Sequence, residues 1–177
     1  MKVLVTGSSG MIGTHLCERL LKERHKVVGV DWKPNKWNKE VDTITVNVDL
    51  RDKSRVLSAL PKNIDIVIHL AANAAIHDLV VNPSMARDNF ETLFNTLEYA
   101  RENGITRFMF ASSREVYGNT GRIIHSEVES LIKNCESPYA ASKIGGEALV
   151  HSYQQCYGID FCIFRYSNVY GMYDESN

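Results

Sequence analysis

The chain has 177 residues, 44% of them hydrophobic and 23% charged, with 20 Lys plus Arg against 21 Asp plus Glu for a net charge of -1. This describes one globular domain with a sizeable core and excludes a disordered or fibrous chain. Nothing in the overall charge points to nucleic acid or an anionic membrane, and no apolar run approaches the ~20 residues of a bilayer span.

The pattern then alternates between short apolar runs and longer helical stretches. Residues 2–6 (KVLVT) and 26–30 (KVVGV) are β-branched runs without polar alternation, as expected of strands buried on both faces. Residues 43–47, 65–70, 107–112 and 160–166 repeat that type, and helical segments fall at 11–24, 52–60, 83–103 and 138–157. In 83–103, Phe90, Leu93, Phe94, Leu97 and Ala100 take the spacing of one buried stripe. Gly104 and Gly158 stand where helix-ending glycines are expected. Strands alternating with helices predict right-handed βαβ crossovers and an α/β fold, a Rossmann-type doubly wound parallel sheet over residues 1–177. Two segments take neither assignment: the polar stretch 31–42, and residues 113–136, which leave a strand end where ligands bind in such sheets.

Gly7, Gly10 and Gly13 lie in G-S-S-G-M-I-G between the first strand and first helix. A pyrophosphate at that helix N-terminus, opened by Met11 and Ile12, needs free backbone N–H groups and no side chain in the way. Gly7 allows the tight turn, Gly10 the close approach, and Gly13 close packing of helix on strand. Asp31 ends the second strand, where a carboxylate accepts hydrogen bonds from both ribose hydroxyls and repels a 2′-phosphate. That favours NAD over NADP, while Lys33 and Lys36 argue the other way. Trp32 adjoins that carboxylate, Asp49 and Leu50 offer adenine a polar contact and an apolar wall, and Leu70, Ala71 and Ala72 let backbone approach a dinucleotide.

Ser137 and Pro138 read as the cap and first residue of a helix, putting Tyr139 and Lys143 one turn apart on one face. A phenol of pKa about 10 is a poor base at neutral pH, and a nearby ammonium with a positive nicotinamide would lower it. Ser113, ending the fifth strand, offers a hydroxyl to the same substrate oxygen, whereas Ser112 should face the other way. The four cysteines form no C-x-x-C pair and suit reduced thiols in a cytoplasmic protein, and no metal site is expected.

Six motifs in order carry a resemblance: G-S-S-G-M-I-G, Asp31, H-L-A-A at His69, A-S-S-R-E-V-Y-G at Ala111, S-P-Y-A-A-S-K at Ser137, and R-Y-S-N-V-Y-G at Arg165. Together they resemble the extended short-chain dehydrogenases/reductases, more narrowly the NAD-dependent epimerase/dehydratase family with its UDP-glucose 4-epimerase-like members. The resemblance implies Ser113, Tyr139 and Lys143 as a catalytic trio working on a nucleotide sugar with retained NAD. It further implies Asn89 as the family asparagine, and Tyr166 and Asn168 beside nicotinamide and substrate. A homodimer through a four-helix bundle of 83–103 and 138–157 follows from the same likeness, as does a C-terminal substrate domain that this chain lacks. Glu115 matches a base used by dehydratases and decarboxylases, so that alternative stays open beside epimerisation. So does an NAD-binding module without turnover. His77 reads as a solvated loop histidine or a phosphate ligand.

Overall fold

The computed structural model describes residues 1–128 and 132–174. Six strands form one parallel sheet in the order β3-β2-β1-β4-β5-β6: β1 (Lys2–Thr6), β2 (Lys26–Asp31), β3 (Thr45–Asn47), β4 (Ile66–His69), β5 (Arg107–Ser113) and β6 (Asp160–Tyr166). Among the described residues six helices connect them: α1 (Met11–Lys22), α2 (Lys39–Thr43), α3 (Lys53–Ala59), α4 (Ile76–Val81), α5 (Ser84–Glu102) and α6 (Pro138–Tyr157). The expected α/β doubly wound architecture is the one found.

Successive β1 side chains alternate between two cores. Leu4 joins Val67, Phe108, Leu93, Leu97 and Val150 beneath α3, α5 and α6. Val3 and Val5 join Cys17 and Val41 beneath α1 and α2. Chain order reverses between β1 and β4, so a crevice opens at the carboxyl ends of those two strands. Among the described residues no helix is long and apolar enough to cross a membrane.

Several boundaries differ from the sequence expectation. The 31–42 stretch carries the short helix α2, started by Asn38, whose side chain accepts from the Glu40 and Val41 amides. Thr43 therefore ends a helix and β3 begins only at Thr45. Helix α1 stops at Lys22 because Arg24 adopts φ 63°. Ser113 is the last residue of β5, and two single 3-10 turns, Arg114–Tyr117 and Ile132–Asn134, punctuate the segment behind it. His77 lies in α4, exposed, and not in a loop. The apolar stripe of α5 is only partly buried: Leu93, Leu97 and Ala100 are inside, while Phe90 and Phe94 are 40% and 37% exposed. The caps behave as read, with Ser137 Oγ accepting from the Ala140 amide at 3.0 Å and Gly158 left-handed at φ 70°.

Candidate functional site

The glycine turn is shaped by backbone crowding. A Cβ on Gly13 would lie 2.0 Å from the Gly7 carbonyl oxygen and 2.8 Å from Ser8 Cα, so its close packing is against the turn itself and not against the strand. Gly7 has φ 70°, and a Cβ there would meet the Ala71 amide nitrogen at 2.9 Å. Gly10 precedes α1 without a side-chain cap, which leaves the first-turn N–H groups at Met11 and Ile12 without a side-chain acceptor.

A cleft of about 670 Å³ runs from this turn along the carboxyl ends of β1 to β4. Gly7, Gly10, Asp31, Trp32, Asp49, Leu50, Leu70, Ala71, Ala72 and Asn89 of the expected cofactor residues line it. Its size and mixed lining suit a small organic ligand. Met11 and Ile12, Tyr139 and Lys143, and Tyr166 and Asn168 do not line it.

Several lining side chains are already committed. Asp31 Oδ2 accepts from the Ser9 amide and Oδ1 from the Lys33 amide, each at 3.0 Å, so this carboxylate also ties the glycine turn to the end of β2. Asp49 is held bidentately by Arg51, at 3.0 and 2.6 Å, and that guanidinium keeps its carboxyl below the usual range. Arg51 also donates to Asp88 at 2.9 Å and lies 5.5 Å from the Trp32 ring centre, closing that end of the cleft. Asn89 accepts from the Asn73 amide at 2.6 Å and donates to the Asn73 carbonyl at 2.9 Å and to Ser142 Oγ at 3.3 Å. Its side chain thus joins the cleft wall to the helix bearing Tyr139 and Lys143, and its amide is spent on protein.

Two residues that carry no assigned role in the sequence reading hold the cleft from behind. Asn35 is 6% exposed; its Nδ2 donates to the Ser8 carbonyl and Thr14 Oγ1, and its Oδ1 accepts from the Trp37 and Asn38 amides. Every hydrogen-bonding position of that amide is used. His69, quoted in H-L-A-A, is buried. Thr6 Oγ1 accepts from the Leu70 and Ala71 amides at 3.2 Å, so its own proton goes to His69 Nδ1 at 3.0 Å and the ring hydrogen sits on Nε2. Burial, and secondarily the Lys143 charge, push His69 down to about 3, keeping it neutral. A buried asparagine a few residues beyond a strand, or a threonine just before the glycines, leaves no periodic signature that a sequence would show.

The residues expected to be catalytic meet at the carboxyl end of β5. Tyr139 and Lys143 are both buried, and Lys143 Nζ donates to the Ala111 carbonyl at 2.8 Å while standing 5.6 Å from the Tyr139 ring centre. Ser113 lies beside Tyr166 in register, with Asn168 exposed two residues further on. Ser112, expected to face away from Ser113, hydrogen-bonds Glu147 on α6, the helix that also carries Tyr139. The lowering expected of the Tyr139 phenol needs a positive nicotinamide beside it; in the ligand-free chain the phenol lies above its ordinary value. Burial raises it, hydrogen bonding with Ser113 pulls it down, and the Glu115 charge raises it further. The ammonium is directed at the Ala111 carbonyl, which explains why it does not offset burial.

Desolvation brings Lys143 down to about 8 from an ordinary 10.5. Between those values the unfolded chain holds a proton that the folded chain has released, so stability rises with pH across that window. Melting curves of the ligand-free chain against Lys143→Met should show this rise from pH 8 upward in the parent alone. Cys17, raised to about 12, works in the opposite sense above pH 9 but cancels in the comparison. Equal pH slopes would remove the case for a desolvated ammonium. Among the described residues no group of three or more His, Cys, Asp or Glu side chains is placed to hold a metal.

The chain is 37% identical to a Bacillus subtilis protein named uncharacterized UDP-glucose epimerase YtcB, over 97% of its own length and 57% of the relative's. It is also 37% identical to a putative UDP-glucose 4-epimerase of Methanocaldococcus jannaschii, over 96% of this chain and 56% of that one. The Thermus thermophilus UDP-glucose 4-epimerase, solved in complex with NAD, superimposes with a TM-score of 0.80 at 33% identity, over 97% of this chain and 56% of that structure. The chain therefore spans little more than half the length of the relatives it matches. The family model for NAD dependent epimerases/dehydratases matches residues 3–177, so the glycine turn, the acidic end of β2 and the tyrosine–lysine helix are those of a chain that belongs to the NAD-dependent epimerase/dehydratase family.

Proposed function

We propose that the chain is the NAD-binding, hydride-transferring domain of a nucleotide-sugar epimerase, acting on a UDP-sugar. The observation that carries this reading is the grouping of Ser113, Tyr139 and Lys143 at the carboxyl edge of the same sheet that bears the cleft beside the glycine turn. The residues present fit NAD: the glycine turn has no room for a Cβ at Gly13, and Asp31 stands at the ribose end. NAD, when bound, supplies the acceptor for the hydride leaving the sugar carbon.

The chain's own groups do the rest. Ionised Tyr139 takes the proton from the sugar hydroxyl as the hydride leaves, giving a keto-sugar, and Ser113 hydrogen-bonds the same oxygen. Lys143, charged below pH 8, stabilises the phenolate when its ammonium turns from the Ala111 carbonyl and can also reach the ribose. Tyr139 would give the proton back to the same oxygen if the keto-sugar were reduced again, and inversion would follow from reduction on its other face.

Glu115 keeps a second reading open, a 4,6-dehydratase or decarboxylase, because its charge bears directly on Tyr139. The third, a cofactor-binding module without turnover, applies to these residues taken alone, which span 57% of the Bacillus relative. In the epimerase reading the nucleotide is gripped by a further substrate domain. Phe90 and Phe94, exposed on α5, and Gly145 on α6, whose Cβ position lies 3.4 Å from Phe90, support a homodimer through a four-helix bundle of α5 and α6.

Two measurements test these points. The purified chain should release NAD on heating, or bind added NAD by calorimetry; a chain indifferent to NAD ends the proposal. Phe90→Glu with Phe94→Glu should convert a sedimenting dimer to monomer without loss of the fold, and an unchanged sedimentation coefficient would remove the bundle.

A further inference from the structure

We infer that Arg165 is a positioning residue that latches the segment after β5, so that Ser113 and Glu115 are presented to substrate in one arrangement; the inference rests on the catalytic reading proposed above. Glu147 lies one turn beyond Lys143 on α6 and is buried. Its carboxylate accepts from Arg165 Nε at 2.9 Å, from Arg165 Nη2 at 2.7 Å and from Ser112 Oγ. The two side chains are 15% and 8% exposed, for arginine and glutamate.

A buried ion pair is weak evidence for stability, because desolvation offsets much of the attraction. Fastening α6 to β6 uses only one edge of the guanidinium. The remainder is aimed elsewhere. Nη1 donates to the Glu127 carbonyl at 3.0 Å, and the flat cation lies 4.8 Å from the Tyr117 ring centre. Tyr117 in turn stacks on His125, with centroids 4.7 Å apart. One guanidinium therefore touches both ends of the stretch 117–127.

The other side of that stretch is also gripped. Gly118 has φ 65°, and a Cβ there would lie 2.1 Å from the Asn134 carbonyl oxygen, just before the cap of α6. Between these holds the chain turns tightly: the Glu115 amide donates to Ser113 Oγ and the Gly118 amide to the Glu115 carbonyl, each at 3.2 Å. The frame that carries Tyr139 and Lys143 thus carries Arg165, and Arg165 fixes where Glu115 stands.

The test uses this chain with and without NAD, in three variants. Arg165→Met removes charge and fork, Arg165→Lys keeps a charge beside Glu147 but loses the planar fork, and Tyr117→Leu leaves the ion pair untouched. Lysine should restore most of the melting temperature lost in Arg165→Met, while both Arg165→Lys and Tyr117→Leu should exchange the Glu115 and Gly118 amides about tenfold faster or more. NAD affinity should stay within about twofold of the parent in both. Parent-like exchange at those amides in folded Arg165→Lys and Tyr117→Leu overturns the latch, and if Arg165→Lys fails to fold, Tyr117→Leu alone decides. Failure of the parent to bind NAD overturns the cofactor reading instead, since the exchange comparison is read in the ligand-free chain as well.

Discussion

Tyr139→Phe is expected to lower hydride transfer from a nucleotide sugar by ~10²–10⁴-fold, the range ascribed to a positioned general base. Cofactor binding should hardly change, because Tyr139 does not line the cleft proposed for NAD. Burial is the reason the effect should be large. Tyr139 is 8% exposed, so bulk water has poor access to replace it as acceptor for the proton. The measurement is the rate of appearance of reduced-nicotinamide absorbance in a single turnover, made with whatever segment completes the sugar site. Rates within a few-fold of the parent would mean that another group takes the proton, and Glu115 is then the next residue to change.

Gly13→Ala should damage cofactor binding severely, for a steric reason. The added methyl carbon would sit 2.0 Å from the Gly7 carbonyl oxygen, a backbone atom that cannot swing aside. Helix α1 must retreat from the turn, carrying the Met11 and Ile12 N–H groups away from where a pyrophosphate would lie. A loss of about 100-fold in NAD affinity, or roughly 2.7 kcal/mol, is expected, with a stability cost of ~1–3 kcal/mol or more from overpacking. Gly104→Ala is the control, because nothing lies within 4 Å of its Cβ position and only its φ of 64° is strained. Calorimetric titration with NAD and thermal melts of both variants separate the two effects. Equal affinity for NAD in Gly13→Ala and the parent would show that the turn is not a phosphate cradle.

The residues readable in advance are those whose chemistry depends on their neighbours along the chain. Gly7, Gly10 and Gly13 are spaced for a strand–turn–helix corner, and Tyr139 and Lys143 are one helical turn apart whatever the rest of the fold does. Ser137 with Pro138 likewise starts its own helix, and Gly158 ends it. The residues to which the sequence assigned no role act across long separations. Asn35 reaches Ser8 and Thr14, His69 is tuned by Thr6, and Arg165 serves Glu147 and Tyr117.

Sequence alone determined the alternating strands and helices, the parallel doubly wound sheet, the glycine turn and the placing of Tyr139 and Lys143 one turn apart on one helix, because hydrophobic period, turn chemistry and i, i+4 spacing are local properties. Tertiary structure alone decided which carboxylates are already spent, that Phe90 and Phe94 face outward, and that the Tyr139 phenol is raised in the ligand-free chain. Those outcomes depend on desolvation and on partners brought from distant strands, and neither burial nor a long-range hydrogen bond is written in the order of residues.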